Sequence, residues 1–494
     1  KIYGCQANFA DSQGLAKFLE ELGCKQVTAE KDADLIIINT CAIREKAEQK
    51  LYSYIGRLAE LKKNKPHLKI GVIGCVASYK KKEFYEYFEC ISFVHGAREE
   101  ISALQGYLAE LILNIQTAKS LFLQNPDSKI KYLKQDRRLK KFFDKQATET
   151  NQFDTEPNRI DKSPRSISRL NLTEQIKESI TKENGQIKED DVSGEEQISD
   201  VRAMINIMTG CNNYCSYCIV PFTRGREISY PMSDILNAVK KDIERGAKEI
   251  TLIGQNVNSY IDPQTGARFP DLLQKVVLLE GNFWVRFISP HPKDMTKDLF
   301  QVVASYRPKL TAFLHFPLQS GSDTILKAMN RNYTSAEFLE KIGWIKELMP
   351  DAGITTDIIV GFPGETEKDY LATREVMEKV QFDQIYSFIY SKRKFTKAYN
   401  MPDDCPQEEK ARRLSELQMR QREISLEQNK KNIGKTLKVL VEKELEPGKL
   451  LARTEGNARV LITSNNANLV GSFVDVKIES TTVVNMSGTL VVSS

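Results

Sequence analysis

The sequence predicts an α/β protein in three parts: a doubly wound N-terminal domain, a partial (β/α)6 barrel and a small C-terminal β-barrel. The first two rest on strand-like apolar runs that alternate with amphipathic helical patterns, in residues 1–110 and again in 201–430. The third rests on short alternating or apolar runs between Gly and Asn turns in residues 431–494. Residues 111–200 read as a charged insertion or linker.

In the N-terminal domain, buried parallel strands are predicted at residues 36–39 and 69–74, which are short runs rich in Ile, Val and Gly. Helices are predicted at residues 11–22 and 44–62, where Leu and Ile recur at helical spacing. Alternation of this kind predicts an open parallel sheet flanked by helices.

Three cysteines, Cys5, Cys41 and Cys75, each stand just past the carboxyl end of a predicted strand. Because those ends share one edge of an open parallel sheet, thiols far apart in the chain can meet there. Thiolates are the usual ligands of iron–sulfur clusters, although a buried Cys also packs as a small hydrophobic side chain. We therefore expect a cluster at this edge.

A second trio, Cys211, Cys215 and Cys218, forms a C-x₃-C-x₂-C run after the first predicted barrel strand. A structural zinc site needs four protein ligands, and no fourth Cys lies nearby. Three thiolates can hold three irons of a four-iron cluster and leave the fourth iron open for a substrate or cofactor. The alternatives are a disulfide with a spare thiol, or a zinc site completed by a distant residue.

Six strands are predicted in residues 201–430, too few for a closed eight-fold barrel, so we expect an open one. Its active site should lie at the carboxyl ends of the strands, although ordinary turns are also polar and Gly-rich. The predicted cofactor-binding residues at those ends are Gln255, Asn256, Ser289 and Gln319. His291 and His315 are either acid–base groups or satisfied structural histidines, and no catalytic residue is assigned.

Basic residues are concentrated in two places. Seven of the thirteen residues at 129–141 are Lys or Arg, which predicts a basic helix before a disordered linker. A solvated insertion is favoured there over an RNA-facing arm. On the C-terminal barrel, a basic surface is suited to RNA phosphates, with a soluble capping domain as the alternative. Its residues are Lys435, Lys438, Lys443, Arg453, Arg459 and Lys477.

The composition predicts a cytoplasmic protein. Its net charge of +5, from 71 basic and 66 acidic residues, permits a nucleic-acid partner without establishing one. No apolar run reaches the about 18 residues of a membrane helix, so no membrane partner is expected. Nine irregularly placed cysteines favour metal ligation over a secreted disulfide framework. Because the chain opens at Lys1 within a strand-like segment, we expect residues before it.

The chain resembles the radical S-adenosylmethionine (radical-SAM) methylthiotransferases, in the branch that modifies tRNA. The resemblance covers residues 1–110 and 201–494, and the C-terminal barrel is similar to the family's RNA-binding TRAM module. The matching segments are residues 3–6, 39–47, 73–78, 210–218, 220–225, 254–260, 291–295, 318–323 and 356–365.

The resemblance implies an enzyme that methylthiolates carbon 2 of N6-isopentenyladenosine at position 37 of tRNA. It implies S-adenosyl-L-methionine and two [4Fe-4S] clusters, one that generates a 5′-deoxyadenosyl radical and an auxiliary one that carries the inserted sulfur. The metal ligands it implies are Cys211, Cys215 and Cys218 for the first and Cys5, Cys41 and Cys75 for the second. The expected partners of this monomer are the tRNA anticodon loop, an external electron donor and an unidentified sulfur donor.

Two departures from the family stand out. Most of residues 111–200 is an insertion where the family has a short linker, and Phe395 replaces a Gly in the family's Ser-x-Arg-Pro-Gly-Thr segment. Sister enzymes with the same scaffold methylthiolate threonylcarbamoyladenosine in tRNA or an aspartate of a ribosomal protein. A non-catalytic iron–sulfur RNA-binding protein is a further alternative. Residues 42–46 and 254–260 favour the isopentenyl class.

Overall fold

The computed structural model describes residues 1–42, 45–124 and 201–491. The chain divides into two compact units, Lys1–Glu195 and Glu196–Ser494. The predicted basic helix at 129–141 and most of the predicted linker lie outside the described residues. Within the described part of the chain, no helix is both long enough and apolar enough to cross a membrane.

The first unit is a four-stranded parallel sheet in the order β1-β2-β3-β4, flanked by helices, as the alternating pattern predicts. Its strands are β1 (Ile2–Tyr3), β2 (Leu35–Thr40), β3 (Lys69–Gly74) and β4 (Phe93–Gly96). Its helices are α1 (Gln6–Glu21), α2 (Glu45–Asn64), α3 (Cys75–Tyr87) and α4 (Ile101–Gln124). Residue 110, where the sequence places the domain end, lies inside α4.

Apolar side chains fix the helices on this sheet. Leu15 of α1 and Leu108 of α4 pack with Ile73 of β3 in one core cluster. On α2, Leu51 and Ile55 are fully buried, in agreement with the helical spacing that predicted this helix. The sheet is therefore held between helices, and its carboxyl edge is presented by the loops that follow the strands.

The second unit contains an open barrel of two three-stranded parallel sheets, joined by a bridge between Val285 and Leu310. The strands are β5 (Arg202–Asn206), β6 (Met208–Thr209), β7 (Ile228–Ser229), β8 (Glu249–Ile253), β9 (Trp284–Phe287), β10 (Phe313–His315), β11 (Gly353–Val360) and β12 (Gln384–Ile389). β6 and β7 form a separate two-stranded antiparallel sheet. The six remaining strands agree with the predicted (β/α)6 barrel.

Helices surround these strands and lead into the last domain. They are α5 (Val220–Arg224), α6 (Met232–Glu244), α7 (Phe269–Val277), α8 (Lys297–Ser305), α9 (Asp323–Ala328), α10 (Ser335–Leu348), α11 (Glu367–Val380) and α12 (Gln407–Lys430). The predicted capping box of α10 is present, since Thr334 and Glu337 bond reciprocally to each other's backbone N–H groups.

The C-terminal domain is a closed five-stranded barrel in the order β13-β14-β15-β17-β16. Its strands are β13 (Thr436–Glu446), β14 (Lys449–Thr454), β15 (Arg459–Thr463), β16 (Phe473–Thr481) and β17 (Asn485–Leu490). The predicted β-barrel is confirmed, but the sequence did not indicate β17, whose Asn, Ser, Gly and Thr residues resemble a turn.

A buried ion network joins the two barrels of the second unit. Glu249 on β8 accepts hydrogen bonds from Arg286 Nε at 2.6 Å and Arg202 Nε at 2.9 Å. Arg286 also donates to the carbonyl oxygens of Thr454 at 2.8 Å and Glu455 at 2.6 Å, in the C-terminal barrel. A fully buried guanidinium that spans both barrels fixes them in one arrangement.

One residue of the predicted basic surface is misassigned. Arg453 is buried and its Nε donates to Glu442 at 2.9 Å, so it neutralises an internal carboxylate and cannot face RNA. The interpretation of Arg453 as a surface cation was wrong, because the sequence does not reveal which face of β14 points inward. Four of the others are exposed and Lys443 is half-buried. The exposed ones are Lys435, Lys438, Arg459 and Lys477.

Candidate metal centres and cofactor pocket

The first cysteine trio lies at the carboxyl edge of the parallel sheet. The register places Tyr3 beside Thr40 and Thr40 beside Gly74, the last residues of three adjacent strands. Neighbouring strands are about 4.8 Å apart. The residues that follow these strand ends are Cys5, Cys41 and Cys75. The topology thus places all three cysteines that the sequence singled out at one edge of the sheet, where Cys41 and Cys75 are buried.

Two buried asparagines, which the sequence analysis missed, support this edge. Asn8 Nδ2 donates to Asn39 Oδ1 at 2.8 Å, and Asn39 Nδ2 donates back to the Asn8 carbonyl at 2.9 Å. The Cys5 thiol donates to Asn8 Oδ1 at 3.3 Å. An Asn within the apolar strand Leu-Ile-Ile-Ile-Asn-Thr was the available signal, since a buried amide requires partners.

Glycine is required where β3 meets α3. Gly74 has a φ of +96°, and a Cβ there would lie 2.3 Å from Asn39 Oδ1 and 2.6 Å from the Thr40 carbonyl oxygen. Any larger residue would push apart the strand ends that carry Cys41 and Cys75. The close approach of β2 and β3 at Gly74 therefore keeps the residues after these strands, Cys41 and Cys75, near each other.

The second trio lies in the loop after β6, and backbone hydrogen bonds hold that loop. Cys211 N donates to the Gly225 carbonyl at 3.2 Å, and Ser216 N to the Met329 carbonyl at 2.9 Å. Gly210 precedes the loop at a φ of +77°, and a Cβ there would lie 1.9 Å from the Arg226 carbonyl oxygen. Only Gly fits this crossing of two chain segments.

Of the three thiols of this loop, those of Cys211 and Cys215 are buried and that of Cys218 is partly buried. Burial raises the pKa of Cys211 to about 11, and burial followed by the charge of Cys215 raises that of Cys218. Thiolates are favourable there only beside positive charge, which iron supplies. In the described ranges, no three His, Cys, Asp or Glu side chains are arranged to hold one metal ion. A four-iron cluster binds each thiolate through a different iron, so its ligands need not converge on one point.

A buried arginine lies beside these thiols. Arg331 donates through one terminal nitrogen to Cys215 Sγ at 3.5 Å and through the other to the Pro317 carbonyl at 2.9 Å. Its Nε donates to the Tyr333 hydroxyl at 3.0 Å. Among the described residues no carboxylate pairs with this guanidinium, although a buried charge normally requires a counterion. The chemistry of the site thus fits an anionic iron–sulfur centre.

Two of the four predicted cofactor-binding residues carry unpartnered polar atoms. The Gln255 side-chain oxygen accepts from Gly210 N at 2.6 Å, and Asn256 Nδ2 donates to Asp294 at 2.9 Å. Gln255 Nε2 and Asn256 Oδ1 are buried with no partner in the described structure. Because buried polar atoms are normally hydrogen-bonded, these two are available to a water molecule or a ligand.

The other two cofactor-binding candidates have strained backbones. Ser289 and Gln319 adopt φ angles of +64° and +71°, in the left-handed region that side chains other than Gly rarely occupy. They follow β9 and β10 on the carboxyl side of the barrel. Strain of this kind is concentrated at functional sites, which agrees with the functional role predicted for this edge.

The two candidate histidines differ. Both ring nitrogens of His315 have hydrogen-bond partners, since Nδ1 is 3.0 Å from Thr355 Oγ1 and Nε2 is 3.2 Å from an Asp357 carboxylate oxygen. His291 accepts through Nδ1 from Lys293 N, and its buried Nε2 has no partner among the described residues. Burial, with the charge of Arg331, lowers the pKa of His291 to about 2, so the ring is neutral. Its Nε2–H is a further hydrogen-bond donor at the carboxyl edge of the barrel.

Comparison with known protein families gives a match to three segments of the chain. Residues 1–96 match UPF0004, described as an uncharacterized protein family, residues 205–377 match the radical SAM superfamily, and residues 430–483 match the TRAM domain. The fold and the three-cysteine loop therefore define a radical SAM protein, and its cofactors are S-adenosyl-L-methionine and [4Fe-4S] clusters.

Full-length relatives narrow the assignment. The tRNA-2-methylthio-N(6)-dimethylallyladenosine synthase of Carboxydothermus hydrogenoformans is 37% identical over 494 residues, covering 99% of this chain and 98% of the relative. That of Syntrophobacter fumaroxidans is 38% identical over 484 residues, covering 97% and 92%. The chain belongs to the family of tRNA-2-methylthio-N(6)-dimethylallyladenosine synthases. Among solved structures, the radical SAM methyltransferase TsrM of Kitasatospora setae is similar to 78% of this chain and 66% of its own, with a TM-score of 0.44 and 12% identity. This similarity is too low to support an inference about function.

Proposed function

We propose that this chain methylthiolates carbon 2 of N6-isopentenyladenosine at position 37 of tRNA. The full-length similarity to relatives that carry this activity in their name supports the proposal. It also draws on the single observation that the chain carries two separate trios of cysteines, one at the carboxyl ends of three parallel strands and one in the loop after β6. The threonylcarbamoyl and ribosomal-protein alternatives have no comparable support.

The six cysteines divide into two roles. The trio Cys211, Cys215 and Cys218 holds the cluster at which S-adenosylmethionine is reductively cleaved, and the trio Cys5, Cys41 and Cys75 holds the auxiliary cluster. Arg331 supplies the positive charge that favours the anionic state of the first site. Gln255, Asn256, Ser289 and Gln319 bind and orient S-adenosylmethionine, with the neutral His291 ring as an added donor.

RNA recognition is assigned to the C-terminal barrel. Its exposed cations Lys435, Lys438, Arg459 and Lys477 contact phosphates of the tRNA, whose anticodon loop presents the target base. Single-stranded loops present bases that leave the stack cheaply, which suits chemistry on carbon 2. The protein acts as a monomer in the cytoplasm and receives electrons from an external donor.

The substrate is tested by mass spectrometry of tRNA nucleosides from a strain that lacks the gene. Unmodified N6-isopentenyladenosine should accumulate and the methylthio form should disappear, with restoration by the wild-type gene. Loss of a methylthiolated threonylcarbamoyladenosine instead would refute the substrate assignment.

The division between the trios is tested in the reconstituted enzyme. Cys215→Ser should abolish 5′-deoxyadenosine formation, whereas Cys41→Ser should retain it and stop sulfur insertion. Cys24→Ser is the matched control, because Cys24 follows no strand and belongs to neither trio. A Cys41→Ser enzyme that still yields methylthiolated tRNA would contradict the assigned roles.

A further inference from the structure

Two exposed phenylalanines lie beside the second cysteine loop. Phe222 is on α5, which begins two residues after Cys218, and Phe395 is in the loop that follows β12. Their side chains are 39% and 58% exposed, and their ring centroids are 6.3 Å apart with the planes inclined at 31°. Adjacent exposed aromatic rings are typical of an interaction surface.

The loop that carries Phe395 is fixed to the cysteine loop. Ala398 N donates to the carbonyl oxygen of Ser216, which lies between Cys215 and Cys218, at 2.7 Å. Thr396 Oγ1 donates to the Arg393 carbonyl at 2.7 Å, and both Thr396 and Ala398 are buried. The Phe395 ring is therefore displayed from an anchored loop.

The backbone of Phe395 is unusual for its residue type. Its φ of +71° lies in the left-handed region, where a bulky side chain is rare and Gly is favoured. The family pattern that this segment resembles has Gly here, and the left-handed backbone fits that residue. An exposed aromatic ring at a position that suits Gly breaks two local preferences at once, which is expected where the side chain has a function.

Exposed cations lie close to both phenylalanines along the chain. Lys392, Lys394 and Lys397 are exposed on the same loop, and Arg226 is exposed just after α5. Aromatic rings interleaved with basic residues are the usual means by which proteins bind single-stranded nucleic acid, because bases stack on the rings and phosphates contact the cations. Unpaired RNA loops are recognised in this way.

We propose that Phe222 and Phe395 form a stacking platform for an unpaired base that neighbours the target base in the RNA. The proposal rests on the proposed function, since it takes the tRNA anticodon loop as the substrate. The other apolar candidate for the rings is the alkyl group of the modified adenosine. The four cations favour a base with its phosphates over that group.

The platform is tested by the affinity of the reconstituted full-length protein for an anticodon stem-loop. Phe395→Ala and Phe222→Ala should each raise Kd by about 5- to 150-fold, the range for removal of one base–aromatic stack, while Phe395→Tyr should keep the wild-type Kd. Tyr87→Ala is the control, because Tyr87 is a similarly exposed aromatic residue on α3 (37%). Equal iron and sulfide content in all variants establishes that the clusters are retained.

Two further measurements separate stacking from other roles. The slope of log Kd against log salt should be unchanged in Phe395→Ala but shallower in Lys394→Ala, since only the lysine releases counterions. Phe395→Gly should raise Kd like Phe395→Ala yet unfold no more easily than wild type, because Gly adopts the left-handed backbone without strain. A Phe395→Gly protein that unfolds more easily would indicate a structural role and overturn the proposal.

The occupant is identified by changing the RNA. An abasic nucleotide beside the target should weaken binding to wild type but not to Phe395→Ala, which is the non-additivity expected of two groups in contact. Phe395→Ala should raise Kd by the same factor whether or not the target base carries its alkyl group. The platform would be refuted if Phe395→Ala weakened binding only of alkylated RNA, or if its effect added to that of an abasic nucleotide at every position. A Kd of Phe395→Ala within twofold of wild type would also refute it. If wild type itself does not bind the stem-loop, the proposed function fails as well.

Discussion

Replacing Glu249 by Gln tests the buried network that joins the two barrels of the second unit. Glu249 is completely buried and accepts hydrogen bonds from Arg286 and Arg202. Gln keeps the shape of the side chain but removes its charge, and an amide can accept through one oxygen only. The substitution therefore leaves two guanidinium groups without their shared counterion.

The magnitude follows from the pKa of Glu249. Burial alone would raise this pKa, but the charges of Arg286 and Arg202 outweigh burial and lower it to about 2. The shift from an unfolded value of about 4.3 corresponds to about 3 kcal/mol of folding free energy at neutral pH. Removing one member of a buried ion pair costs about 3–5 kcal/mol, so both arguments predict a large loss.

The pH dependence has a defined sign. Because the folded pKa is lowered, the contribution of Glu249 is fully present above about pH 4.3 and is lost as the pH falls toward about 2. At pH 3.5 it should have fallen to about 2 kcal/mol. The difference in free energy of unfolding between wild type and Glu249→Gln should therefore be constant from pH 7 to pH 5 and decrease below pH 5.

Tryptophan fluorescence in a urea titration reports this unit specifically. The only two tryptophans of the chain, Trp284 and Trp344, both lie in the second unit. Trp284 packs edge-on against Phe473 of the C-terminal barrel, with ring centroids 4.9 Å apart, so it reports the junction directly.

The matched control is Asp351→Asn, the same chemical change in the pair of Arg307 with Asp351, whose side chain is 69% exposed. Exposed ion pairs contribute about 0–1 kcal/mol, so this variant should unfold nearly as wild type does. If Glu249→Gln loses no more than Asp351→Asn, the network does not hold the two barrels together and the reasoning is refuted.

Two more predictions concern the second cysteine loop. Gly210→Ala should destabilise the protein by about 1–3 kcal/mol and lower its iron content after reconstitution, because the new Cβ would lie 1.9 Å from the Arg226 carbonyl oxygen. Gly343→Ala is the control. It should change neither stability nor iron content in this way, because no atom lies within 4 Å of its new Cβ. Arg331→Met should lower the midpoint reduction potential of the cluster in an EPR-monitored titration and weaken iron retention about 10-fold, because a positive neighbour of Cys215 is lost. Arg331→Lys should recover part of the potential, and an unchanged potential in Arg331→Met would count against the electrostatic role.

The carboxyl-edge positions of the cysteines could be predicted from the sequence because they depend only on topology. Cys41 and Cys75 directly follow buried apolar strands, and adjacent parallel strands must end at the same edge. The same rule placed Gln255 and Ser289 at the barrel edge. Positions set by the ends of strands need no knowledge of side-chain partners.

What the sequence could not reveal depends on tertiary partners. Asn8 and Asn39 bond across 31 positions of the chain, and no local pattern pairs them. Arg331 lies 116 residues from Cys215, and its role follows only from its burial without a carboxylate. β17 was missed because its residues have little strand propensity, and pairing with β15 and β16 overrides that preference.

The two ends of the open barrel serve different purposes. At the amino end of β8, Glu249 bonds to Arg286 of β9, which in turn bonds to the C-terminal barrel. Toward the carboxyl ends, Gln255, Asn256 and His291 retain buried polar atoms with no partner in the described structure, each of which costs about 1–3 kcal/mol. The bonded ion network thus lies toward one end of β8, and three of the buried polar atoms without a described partner lie toward the other end of the strands. These three side chains therefore offer hydrogen-bonding atoms at the carboxyl edge, which suits that edge to the binding of a polar ligand.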